Sequence, residues 1–217
     1  MLADRAKILQ LADEAQPLIV SWRRTMHRYP ELGMDTPRTS DFIEEQLRIM
    51  GIEVRRIAGC GVIGTLRGSG GSKTIALRAD IDGLPVTEQT GLPFASEIPG
   101  RMHACGHDAH AAIVLGAAKI LSQLRTDLHG NVRFIFQPGE ESPGGAQPMI
   151  KEGALDNPKV DAIIAGHVGT LWPLESGQFG FKPGPFMAAS DSFTITVTGC
   201  GGHGAAPDQC VDPIVVA

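Results

Sequence analysis

The stretch HDAHAAIVLGAAKILSQLRTDLHGNVRFIFQPGEE, residues 107–141, decides the fold. Its first half spaces Ala111, Val114, Ala118 and Leu121 along one face of a helix running from about 108 to 124. The Ala and Gly content of that helix lets it pack closely on a sheet. Its second half changes period: VRFIF at 132–136 is an apolar run of strand length, bounded by turn residues and followed by the loop Gln137-Pro138-Gly139-Glu140-Glu141. A helix that hands the chain to a buried strand is the repeating unit of an α/β fold.

Working outward, the neighbouring segments obey the same grammar. Upstream, TIALRA at 74–79 is a largely apolar strand ending at Asp80, and residues 52–54 and 62–66 are shorter strand candidates. The glycine-rich piece at 67–72 lacks the Lys-Ser/Thr ending and following helix of a phosphate loop, so it predicts a hairpin turn. Two helices come earlier. Ile8, Leu11, Ala15, Leu18, Trp22 and Met26 recur at helical spacing, with Pro17 expected to kink or split the run. Thr36-Pro37 opens a second helix that uses Phe42, Ile43, Leu47 and Met50 and stops at Gly51. Downstream, AIIA at 162–165 reads as another strand, ending at Gly166-His167, and residues 82–101 read as loop. The expected architecture is α/β, a mostly parallel sheet flanked by helices. From Ser192 to Thr198 the texture turns to strict alternation, the mark of a half-exposed strand. A domain boundary near Ala189 is therefore expected, with 1–189 as one domain and 190–217 opening a second, α+β one.

Composition narrows the class. Among 217 residues, 27 Gly and 15 Pro predict many tight turns. The net charge of −5 comes from interspersed acids and bases without a Lys/Arg-rich stripe, so a nucleic-acid partner is not expected. The N-terminal MLADRAKILQLADEAQ carries charges throughout and lacks the apolar core of a signal peptide, and no apolar run is long enough to cross a membrane. Four scattered cysteines, Cys60, Cys105, Cys200 and Cys210, form no C-x-x-C pair. A cytoplasmic protein without a disulfide framework is the expectation. The final Asp212-Pro213 looks like the start of a helix, so the sequence reads as the front part of a longer protein.

In open α/β sheets, ligands bind at the carboxyl ends of strands. Asp80 and Asp82, Glu140 and Glu141, and His167 all stand just past buried strands, and Met102 to His110 (MHACGHDAH) opens the long helix. Carboxylates, imidazoles and a thiol delivered to one edge make the inventory of a site for Zn²⁺, Mn²⁺, Co²⁺ or Ni²⁺. Of the adjacent acids, one can bind metal while the other takes a proton from water. Bland readings stand beside this: His103 and His110 as groups supporting the site or the helix end, Cys105 as a small buried hydrophobe, Glu140-Glu141 as a solvated turn. Cys105 as a nucleophile activated by His107 or His110 is a rival enzyme reading, and a non-catalytic fragment that at most binds metal is another.

The motifs LRADIDGLP at 77–85, MHACGHDAH at 102–110, FQPGEE at 136–141, GHV at 166–168 and GGHGAAP at 201–207, with HRYPELG at 27–33, resemble the N-acyl-amino-acid amidohydrolase branch of the dinuclear-metal aminoacylase and carboxypeptidase family. The resemblance implies a catalytic domain of zinc-peptidase type followed by the beginning of a lid and dimerisation domain. It implies two divalent metal ions held by Cys105, His107, Glu141 and His167, with Glu140 as general base and Asp80 as a group that orients an imidazole. His203 would polarise the scissile carbonyl from the partner subunit of a homodimer, and the substrate would be a small N-acyl amino acid or peptide-like amide. Family members often have Lys at Cys200, His at Asp208 and Ala at Gly139, and they continue through the rest of the lid to a last His ligand.

Overall fold

The structure, a computed structural model, describes residues 5–169, 173–186, 191 and 193–217. The chain divides into two compact units, residues 1–172 and 173–217. The boundary expected near Ala189 falls on residues outside those described.

In the first unit, helix α1 spans Arg5–His27 and α2 spans Pro37–Ile49. Helix α1 continues through Pro17 instead of splitting there. Asp13, whose carbonyl loses its usual donor at Pro17, is exposed, so water can serve it. Helix α2 starts with Pro37 in its first position, but Thr36 gives no side-chain cap. The Glu31 carboxylate does that work from a distance, accepting Arg38 N at 3.1 Å and Thr39 N at 2.8 Å.

Strands β1 (Glu53–Ile57), β2 (Gly61–Arg67), β3 (Gly70–Asp80), β4 (His129–Gln137) and β5 (Ala162–Ala165) form a mixed sheet in the order β1-β2-β4-β3-β5. The pairs β1/β2 and β2/β4 are antiparallel; β3/β4 and β3/β5 are parallel. The turn between β1 and β2 is too short for anything but an antiparallel pair. The glycine-rich link after Arg67 is not a hairpin between paired strands, because β4 lies between β2 and β3. The link crosses the start of β4, with Gly68 N on Gly130 O and Ser69 N on Leu128 O. A Cβ on Gly68 would stand 2.3 Å from the Leu128 carbonyl, so only glycine passes there.

Helix α3 (His107–Gln123) packs with α1 and α2 on one face of the sheet. Trp22, Ile43, Leu47, Leu115, Phe134 and Phe136 belong to the core between them. Ala111, Ala112 and Ala118 keep α3 close to its neighbours, as its composition predicts. The short helix α4 (Ala146–Lys151) serves the other face, where Ile57, Ile63, Ala76, Ile135 and Met149 cluster. The parallel trio β4, β3 and β5 sends its three carboxyl ends to one edge.

The second unit holds an isolated antiparallel bridge between Cys200 and Val211 and the helical turn α5 (Pro213–Val216), capped by Asp212, whose side chain accepts from Ile214 N at 2.9 Å. Residues 193–198 are not a strand, and Ser192 lies outside the described residues. Phe193 and Ile195, meant for a buried face, are exposed. Among the described residues of this unit no strand lies beside them, and alternation without a partner makes no ladder.

Candidate metal centre

Helix α3 begins at the edge where β3, β4 and β5 end. Gly106, its cap, has φ +84, and a Cβ there would come within 2.5 Å of Val168 Cγ2. Glycine is required both for the left-handed turn and for the approach of the segment after β5. The turn puts His107 inside, with Cys105 beside the segment that follows β5.

His107 is buried, and its Nδ1 lies 3.2 Å from Asp82 Oδ1. Its Nε2 is buried without a hydrogen-bond partner. Around that nitrogen stand Asp80 Oδ2 at 3.8 Å, Glu140 Oε2 at 3.8 Å and Glu141 Oε1 at 3.9 Å. These are too long for hydrogen bonds. Cys105 Sγ is 3.4 Å from His167 Nε2, while His167 Nδ1 donates to Val168 O at 2.5 Å. Three overlapping groups, Cys105/His107/His167, Asp80/His107/His110 and His107/Glu140/Glu141, each bring their donor atoms within 4.8 Å of one another.

A buried acceptor without a donor is costly, and carboxylates crowded about it repel each other. A divalent cation among nitrogen, sulfur and oxygen donors removes both penalties, so the residues fit a metal centre. The crowding of acids also shows in the titration of the neighbours. Burial, with the hydrogen bond and charge of Glu141 and the charges of Glu140 and Asp80, pushes the Cys105 thiol up to about 12. A nucleophilic cysteine needs cationic neighbours, so these surroundings count against that role. Burial opposes the charged form of His107, but Asp82, Asp80 and Glu140 together raise its pKa.

Two aspartates arrange the centre from beneath. Burial alone would raise the Asp80 carboxyl, yet the hydrogen bond from His110 and the charges of His107 and Arg78 hold it at about 2. Its Oδ1 takes His110 Nδ1 at 2.6 Å and its Oδ2 takes Arg78 Nη1 at 2.8 Å. The imidazole it orients is thus His110. The one that orients His107 is Asp82, fully buried, which also receives the backbone N–H of Glu140 at 3.1 Å and of Glu141 at 3.2 Å. Sequence reasoning placed Asp82 at the right edge without giving it a task. The signal was there in the Asp-x-Asp spacing at the end of a buried strand.

A second polar cluster lies beside the same helix start. Asp108 Oδ2 accepts His27 Nδ1 at 2.7 Å and Arg23 Nε at 2.7 Å, and His27 Nε2 reaches Glu88 Oε1 at 3.3 Å. Glu88 also takes Ser96 N at 2.6 Å and the Thr90 hydroxyl, which folds the 84–101 loop around it. The Asp108 hydrogen bond raises the His27 pKa against the pull of burial. His103 is buried beside His27 with neither ring nitrogen bonded, and burial pushes its pKa down to about 4. His203 belongs to the second unit, where its Nδ1 accepts from Ala205 N at 3.2 Å.

Comparison with known proteins points the same way. The family described as Peptidase family M20/M25/M40 matches residues 76–216. The N-acyl-L-amino acid amidohydrolase of Geobacillus stearothermophilus is 45% identical over 98% of this chain and 57% of its own length. The N-acetyl-L-cysteine deacetylase of Bacillus subtilis is 42% identical over 97% of this chain and 52% of its own. Among solved structures, the Bacillus subtilis YXEP protein, a dinuclear metal binding peptidase, superposes with a TM-score of 0.66 at 42% identity, covering 76% of this chain and 44% of that one. The chain spans about half the length of the curated relatives it matches.

Proposed function

The chain belongs to peptidase family M20/M25/M40, and on that premise we propose that it carries the metal-binding part of a hydrolase that cleaves the amide bond of N-acyl amino acids or related amino-acid conjugates. The observation that carries this reading is the buried, unpartnered His107 Nε2 ringed by Cys105, His167 and three carboxylates. Cys105, His107, Glu141 and His167 would hold two divalent ions. Once bound, such ions lower the pKa of water toward neutrality and polarise a carbonyl.

The chain's own residues do the rest. The Glu140 carboxylate, half-exposed at the rim with its backbone fixed by Asp82, takes a proton from water and returns it to the leaving amine. Asp82 aims His107, and Asp80 holds His110. The products are a carboxylic acid and an amino acid. Residues 190–217 open a lid and dimerisation domain in this reading, following a catalytic domain of residues 1–189. There His203 would donate a hydrogen bond to the developing oxyanion in the partner subunit of a homodimer. The names of the relatives support the substrate class. A cytoplasmic location is supported by the free thiols of Cys60, Cys105, Cys200 and Cys210. Among the described residues no helix is long and apolar enough to cross a membrane.

The test is removal of metal by chelator, re-addition of Mn²⁺, Zn²⁺ or Co²⁺, and measurement of amino acid released from N-acetyl amino acids. Activity should vanish and return. The Glu140→Gln variant should keep its metal and lose about 10²–10⁴-fold in turnover. Turnover indifferent to chelation, or intact in Glu140→Gln, sinks the reading.

A further inference from the structure

We propose that His110 is the positioning residue for His167, acting through the Val168 backbone, and that it is not itself a metal ligand. The proposal rests on the metal-centre reading above. His110 lies close enough to Asp80 and His107 to complete a metal-binding trio. Its hydrogen bonds argue otherwise. Nδ1 donates to Asp80 Oδ1 at 2.6 Å, and Nε2 accepts the Val168 N–H at 2.9 Å. Both ring nitrogens are therefore occupied, and with Nδ1 as donor the one lone pair faces an amide hydrogen.

Val168 passes the constraint on. Its N–H is held by His110, and its carbonyl accepts His167 Nδ1, which leaves His167 Nε2 facing Cys105 Sγ at 3.4 Å. The His110 and His167 rings meet edge to face, with centroids 4.6 Å apart. This anchoring matters because β5 is a short edge strand whose pairing with β3 ends at Ala165. The side-chain hydrogen bonds that hold the 166–169 segment run to His110 and Cys105 and within the segment itself. The anchor itself is stiff. His110 is 4% exposed, on the first turn of α3, and Asp80 is held in turn by Arg78, which is locked to Gln137 Oε1 by Nε at 3.1 Å and Nη2 at 2.9 Å. Gly106 completes the seat by leaving room for Val168.

Three readouts test this, two of them independent of metal. In the metal-free ¹⁵N-labelled chain, a coupling through the hydrogen bond should connect Val168 N with His110 Nε2, and its absence overturns the proposal without any mutation. The His110→Leu variant keeps bulk but no acceptor, and Val168 amide exchange should quicken at least about tenfold. The His110→Gln variant keeps an acceptor and should restore most of the protection. In titrations with Zn²⁺, both variants should bind as many equivalents as the wild type. Affinity should fall about 10–100-fold in His110→Leu and only a few-fold in His110→Gln. Loss of a whole equivalent in both variants would make His110 a ligand, and unchanged affinity with unchanged exchange in His110→Leu would remove its positioning role. A wild-type chain that takes up no metal defeats the reading of function alone. The Val168 coupling and exchange still decide whether His110 fixes the segment.

Discussion

Nine consecutive residues, MHACGHDAH at 102–110, feed two polar clusters of opposite character. Cys105 and His107 turn toward an open cluster in which His107 Nε2 faces three carboxylates at 3.8–3.9 Å, distances no hydrogen bond explains. Asp108, one residue further on, turns into a closed cluster in which His27, Arg23 and Glu88 meet at hydrogen-bonding distance. The same residue types thus do two jobs. In the closed cluster Arg23 and His27 answer the charge of Asp108, although Asp108 Oδ1 and both ring nitrogens of the neighbouring His103 have no hydrogen-bond partner. In the open one the orphaned lone pair of His107 faces three carboxylates, an arrangement that a cation would complete. The closed cluster should govern stability and the open one metal affinity.

The largest stability effect should come from Asp108→Ala. It strands His27 and Arg23 beside a buried gap, so urea unfolding should show a loss of about 3–5 kcal/mol. A loss under 1 kcal/mol would erase the distinction between the clusters. Next comes Asp80, which lies under the open cluster but is itself fully paired. With its pKa at about 2 against an ordinary 3.8, it adds about 2 kcal/mol of stability. That contribution is complete above the unfolded value and is lost as pH falls from there through about 2. Asp80→Asn should flatten this acid limb in denaturant midpoints measured against pH.

His27 carries the opposite sign. Its raised pKa means that its stabilisation is complete below 6.5 and lost as pH climbs through the folded value. Melting temperature should therefore decline on the alkaline side, and the decline should shrink in His27→Gln. The smallest effect belongs to the open cluster. Glu141→Gln in the metal-free chain should change stability by no more than about 0.5 kcal/mol, because it removes one of several crowded carboxylates. The same variant should abolish most of the stabilisation that added Zn²⁺ gives the wild type, roughly 3 kcal/mol at a hundredfold excess over Kd.

What could be read in the sequence was local. The runs at 62–66, 74–79, 132–136 and 162–165 coincide with β2, β3, β4 and β5, because apolar strands bounded by turns declare themselves over a few residues. The edge that gathers Asp80, His107, Glu140 and His167 followed from the rule for strand ends. Relations across the chain were hidden. Nothing near Glu31 announces that it caps α2, and nothing near Glu88 announces His27. Asp80 and Asp82 sit two apart where the strand ends and alternation loses its meaning, so which one faces His107 Nδ1 is set by the turn that follows. Residues 193–198 failed in the other direction: their alternation is real, but a strand is made by its neighbour as much as by itself.

The placement of β4 between β2 and β3 has a bearing on how the chain comes together. As synthesis proceeds, β2 and β3 emerge first and are tied by the short link at Gly68, yet they cannot zip up on each other, because the slot between them is reserved for a strand that begins only at His129. Until α3 and then β4 have left the ribosome, Val62, Leu66 and Ala79 wait with unpaired strand edges beside them. The keystone of the sheet arrives late and from far along the chain, which makes folding slow to start and leaves the nascent chain exposed to strand-to-strand association in the interval.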